Sequence, residues 1–89
     1  MVANDAARTP GESIRYELTA KVEADIDKRF TYHAPKGDQT NRYAFLRFQA
    51  REYARAIATM CPDSREKSLA LTHLEEAVMW ANAAIARSE

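Results

Sequence analysis

Apolar residues recur along this chain in stripes of two widths. Ile14, Leu18, Val22 and Ile26 fall every fourth residue, with Glu17, Lys21, Glu23, Asp25, Asp27 and Lys28 among them. A stripe this thin on a charged surface predicts a helix packed along one side on something larger. Thr9 suits its N-cap, Pro10 its first helical position and Glu12 the return half of a capping box, so the helix is expected to run from there to about Arg29. Its partner is either its own chain or a neighbouring subunit. Two wider seams follow. Tyr43, Leu46, Ala50, Tyr53 or Ala54, Ile57 and Met60 or Cys61 keep three-four spacing. This predicts a second helix, capped by Asp38 or Thr40 and stopped by Pro62. Leu71, Leu74, Val78, Ala81 and Ile85 form the seam of a third helix, with Asp63 and Glu66 as its capping signal. Two long helices joined only by Pro62-Asp63-Ser64 must lie antiparallel. No strand pattern or internal repeat is present. The chain reads as all-α, a short N-terminal helix followed by a long antiparallel helical hairpin. Residues 1–8 are expected to be a flexible tail, 9–29 an accessory helix, and 30–89 a loop plus the hairpin.

The third helix carries more apolar surface than a hairpin can hide. Ala77–Ala86 reads AVMWANAAIA, with Asn82 its one polar residue. A hairpin covers one face of each helix, which leaves Met79, Trp80 and Ala83 or Ala84 in water, and Phe45 and Phe48 with them. Contiguous apolar surface of this kind marks an interface, and a domain this small gains stability by self-association. A homo-oligomer is therefore expected. The alternative is a monomer whose first helix folds back over these residues.

Composition narrows the function. The chain has 89 residues, 13 of them basic and 13 acidic. That balance excludes the broad basic footprint of a duplex-DNA binder, while a small anionic ligand needs only a few converging cations. Cys61 is the single cysteine, so no intrachain disulfide and no cysteine metal cluster can form, and a reducing cytoplasm is the expected home. The polar N-terminus lacks a signal-peptide pattern, and Ala77–Ala86 is too short to span a bilayer. His33 and His73 lie on different elements without metal-ligand spacing, and Gly11 and Gly37 are the only glycines, so a phosphate loop is absent. No catalytic residue, metal or cofactor is expected.

Candidate chemistry gathers in Phe30–Asp38, FTYHAPKGD, which places Tyr32, His33, Pro35 and Lys36 in one loop. Pro35 pushes Ala34 toward extended geometry and Lys36-Gly37 reads as a turn. Tyr32 can stack on a nucleobase, or it can pack the loop onto the hairpin with its hydroxyl satisfied locally. Arg47, Arg51 and Arg55 recur every fourth residue on the second helix. They suit phosphate contacts, or they form a solvated face. Arg47 lies nearest the loop and can reach toward the same volume as Tyr32.

The loop Phe30-Thr31-Tyr32-His33-Ala34-Pro35-Lys36-Gly37-Asp38-Gln39 with Arg42-Tyr43, together with the late run Glu75–Ala86, resembles a family of phage-encoded hairpin proteins. These are the anti-CBASS sponges, whose helical hairpin domain is shared with some phage anti-Thoeris proteins. The resemblance covers about residues 30–87. It implies an oligomeric protein, a hexamer, that sequesters cyclic dinucleotides and cyclic trinucleotides in the cytoplasm of an infected bacterium without cutting them. By the same resemblance Tyr32 stacks on the ligand, the basic phosphate contact falls on Arg47, and Arg87 serves as a cation near a symmetry axis. Residues 1–29 stand as an extra segment before the motif, able to extend the interface or to cover the pocket. Two other functions stay open: a helical scaffold or adaptor without a ligand, and a sponge for cyclic ADP-ribose-type signals.

Overall fold

The computed structural model describes residues 16–89. Among them are three helices and no strand: α1 (Ala20–Phe30), α2 (Gln39–Met60) and α3 (Arg65–Ser88). The chain divides into two compact units, the second spanning Tyr32–Glu89.

In the first unit, α1 begins later than its stripe predicts. Tyr16 to Thr19 are not helical. Thr19 is the N-cap, with extended backbone (φ −72°, ψ 158°), its hydroxyl accepting from the Val22 amide at 3.2 Å and its carbonyl from the Glu23 amide at 2.9 Å. A β-branched residue with a short hydroxyl satisfies orphan amides better at a cap than it serves a helix interior. Leu18 thereby leaves the helical stripe, and the expected cap at Thr9, Pro10 and Glu12 lies outside the described residues, as does the expected tail. Glu23 in the first turn and Lys28 and Arg29 in the last complement the helix dipole, and Arg29 pairs with Asp25 at 2.8 Å.

The second unit is the hairpin. Its helices pack along a seam lined by Leu46, Ala50, Leu74, Val78 and Ala81. Pro62 ends α2, where the Cys61 amide closes on the Ile57 carbonyl at 3.1 Å. The N-cap of α3 is Ser64, one residue after the expected Asp63. The Ser64 hydroxyl accepts from the Lys67 amide at 3.1 Å and donates to the Pro62 carbonyl at 3.0 Å. Asp63 is drawn off to the Lys67 ammonium at 2.8 Å, which lowers its carboxyl pKa. Lys67 also donates to the Ala58 carbonyl at 2.8 Å. One cation thus ties the start of α3 to the negative end of α2 and satisfies an orphan carbonyl there.

The seam is not a core. Among the described residues no hydrophobic side chain is buried, and Gln39, 3% exposed, is the one buried residue. Trp80 stays 68% exposed and Phe45 61%, with Phe48 and Met79 similarly bare, as expected for a hairpin considered alone. Two apolar grooves flank the seam and share Ala50, Leu74 and Val78. Leu46 and Tyr53 wall one, and Ala54, Leu71 and Met79 wall the other.

Lys67→Met removes the bond to the Ala58 carbonyl, with side chains only 16% exposed at Lys67 but 99% exposed at Asp63. It should lower hairpin stability by about 1 kcal/mol, whereas Asp63→Asn should change it far less. Chemical denaturation of the two variants checks the asymmetry.

Candidate functional site

The loop 32–38 turns sharply before α2. The Gln39 amide donates to the Lys36 carbonyl at 3.1 Å, and Gly37 holds φ +57° inside that turn. Positive φ at the second residue of a turn is a place for glycine. Asp38 is the N-cap of α2 by position but its side chain caps no amide, accepting instead from Arg42 Nε at 3.1 Å.

The loop is fastened to the far end of α3 by a polar cluster. The Gln39 side-chain carbonyl accepts from the Lys36 amide at 3.0 Å, and its Nε2 donates to the Ile85 carbonyl at 3.5 Å and to Glu89 Oε1 at 3.0 Å. Arg42 grips the Glu89 carboxylate with two parallel bonds of 2.6 Å. The Lys36 ammonium donates to the Glu89 backbone oxygen at 2.9 Å. The cluster closes a cavity of about 340 Å³ lined by His33, Ala34, Lys36, Gln39, Ala86, Arg87 and Glu89. The hydrogen bonds from Arg42, then Gln39, hold the Glu89 carboxyl down at about 2, against an ordinary 4.5. Those same bonds to Glu89 raise the pKa of the Arg42 guanidinium.

Of the residues singled out in the sequence, the structure brings His33, Lys36 and Arg87 to this one cavity. Tyr32, next in sequence to His33, does not line it and is 82% exposed, and Pro35 is exposed as well. Arg47 lies elsewhere on the same chain, in the second apolar groove with Arg51, Glu75 and Met79. Arg55 pairs with Glu52 at 2.6 Å, and His73 meets Glu76 at 3.1 Å on the exposed face of α3. The sequence reading missed Gln39, Arg42 and Glu89 as site-building residues. Only the Asp38–Arg42 pair, four apart on a helix start, left a local signal; Glu89 lies 47 positions beyond Arg42 and left none. Among the described residues no group of three or more His, Cys, Asp and Glu is placed to hold a metal, and no helix is long and apolar enough to cross a membrane.

The hairpin and its loop match a family model described as Acb2/Tad1, hairpin domain, over residues 22–86. The chain belongs to the Acb2/Tad1 hairpin family. This is the family of the anti-CBASS sponges, with its hairpin shared with anti-Thoeris Tad1. It fits a phage anti-defence role as a sponge for cyclic nucleotide signals at the level of the family. The match starts at Val22, inside α1. No curated protein and no solved structure matches the chain.

Glu89 adds to stability as long as it is ionised in the native state. Because its native pKa is lowered, that contribution is full above its ordinary 4.5 and is lost as pH falls from there through about 2. A carbon-detected titration should find the Glu89 carboxyl midpoint near 2 in the native protein and raised toward the ordinary carboxylate range in Arg42→Ala, where the Gln39 bond remains.

Proposed function

We propose that this chain binds cyclic di- and trinucleotide second messengers of bacterial CBASS defence and sequesters them without cleaving them. It would act as a phage-encoded immune-evasion protein in the cytoplasm of the infected cell. The family match across the loop and most of both hairpin helices carries this reading. The cavity supports it chemically: Lys36 and Arg87 are two cations on one cavity, and the exposed Tyr32 ring lies on the loop that forms one wall. An exposed aromatic ring on the same loop as a cavity-lining cation suits a ligand made of bases and phosphates.

The assembly belongs to the same proposal. A hairpin with no buried apolar residue, and grooves on both sides of its seam, would be completed by further copies of itself, in a hexamer. A two-fold contact would present Tyr32 and Arg47 twice, once to each half of a cyclic dinucleotide. This would bring together residues that stand apart on one chain. Arg87, at the end of α3, would serve the trinucleotide. Cargo of the cyclic ADP-ribose type is a second reading, favoured by the hairpin shared with Tad1.

The test is incubation with a panel of cyclic di- and trinucleotides, then filtration and heat denaturation of the retained protein. The reading expects ligand absent from the filtrate and recovered intact. Cleaved product would make the protein an enzyme, and ligand left in the filtrate would favour a scaffold or the cyclic ADP-ribose cargo. Tyr32→Ala should weaken dinucleotide binding by about tenfold or more, the share of one stacked base. Arg47→Glu should weaken it further by setting like charge against phosphate. Unchanged calorimetric affinity in either variant would remove that residue from the site.

A further inference from the structure

We propose that Glu75 is a specificity-determining residue that selects guanine in the bound cyclic nucleotide. The inference deepens the proposed function and rests on it. The groove that holds Arg47 has a volume of about 400 Å³. Helix α2 gives it Arg47 and Arg51, a turn apart, and α3 gives it Glu75 and Met79. Among the described residues Arg29, Arg42 and Arg55 are each held in an ion pair. Arg47, Arg51 and Glu75 are not, although these cations and this carboxylate line the same groove.

A ligand that fits this arrangement brings a negative group for α2, an N–H donor for α3 and a flat apolar body between them. A nucleotide supplies all of these. Its phosphate suits the guanidinium forks of Arg47 and Arg51. Its base can lie on the apolar floor made by Ala50, Leu74 and Val78. The edge of the base then meets Glu75, which when ionised accepts hydrogen bonds and donates none. Guanine turns two adjacent donors to a carboxylate, its N1–H and its 2-amino group, and so forms a pair of parallel bonds. Adenine has a single donor there, its 6-amino group, beside an N1 acceptor that repels the second carboxylate oxygen. The carboxylate thus favours guanine by one charge-assisted bond and one avoided repulsion. In a two-fold assembly each half of the ligand would meet its own Glu75.

Reading a base differs measurably from a general effect of charge. Glu75→Gln keeps the length of the side chain and exchanges one acceptor for a donor, so it loses a bond to guanine and matches the donor–acceptor edge of adenine. The experiment compares this variant with wild type by calorimetry, using cyclic diguanylate and cyclic diadenylate. Circular dichroism and solution mass check the fold and assembly of each. The variant should bind the diguanylate about tenfold more weakly, the share of one hydrogen bond to a charged group, and the diadenylate at least as well as wild type. Relief of repulsion between carboxylate and phosphate would strengthen both ligands alike, and a merely structural role would weaken both alike. An unchanged ratio of the two affinities, a ratio that moves toward the diguanylate, or a wild type that holds the diadenylate alone would overturn the proposal and leave the proposed function standing. A fall in solution mass would assign Glu75 to a contact between copies and overturn it too. A wild-type protein that holds neither ligand would overturn the proposal together with the dinucleotide binding on which it rests.

Discussion

Two helices in contact along a single line bury one stripe apiece, and everything else in this hairpin follows from that limit. Leu46, Ala50, Leu74 and Val78 meet at the seam, yet none of them is fully buried. A third layer would be needed to enclose them. Hydrophobic burial within the pair is correspondingly small, and polar devices at the two ends take a larger share of fixing its geometry. At one end Lys67 joins α3 to the last turn of α2. At the other, Gln39 and Arg42 join α2 to the last residues of α3.

The second device also makes the site. A loop of seven residues with a proline and a glycine has no core of its own to fold onto. Its position is set by the Gln39 side chain, which binds the loop at the Lys36 amide and α3 at the Ile85 carbonyl and Glu89. That same residue is the most deeply buried of those described, so the least solvated point of the hairpin is a hydrogen-bonded amide and not an apolar side chain. The cavity holding Lys36 and Arg87 is the space left between the loop and the end of α3. In the proposed sponge this hydrogen-bonded edge would favour binding by leaving less to be ordered when the ligand arrives.

Local competition explains where the sequence reading went astray at helix starts. The stripe that includes Leu18 and Val22 passes through Thr19, and periodicity has no means of seeing that a threonine within it will cap. Asp63 and Ser64 are both good caps in adjacent positions, and Lys67 decided between them by claiming the aspartate. The hairpin itself was legible because three-four spacing, Pro62 and a short connection all point the same way. His33 and Lys36 were legible as candidates because aromatic, basic and turn residues stand together in one loop.

By itself the sequence determined the helices, their antiparallel pairing, the apolar surface they leave bare and the family to which the loop and hairpin belong, because each of these rests on residues a few positions apart. Only the tertiary structure decided that Arg42 would take the Glu89 carboxylate, that Gln39 would be the buried residue among those described, and that Lys36 and Arg87 would line one cavity. Those contacts join residues some fifty positions apart. Their partners are chosen by which ends the hairpin brings together, and no spacing rule along the chain carries that choice.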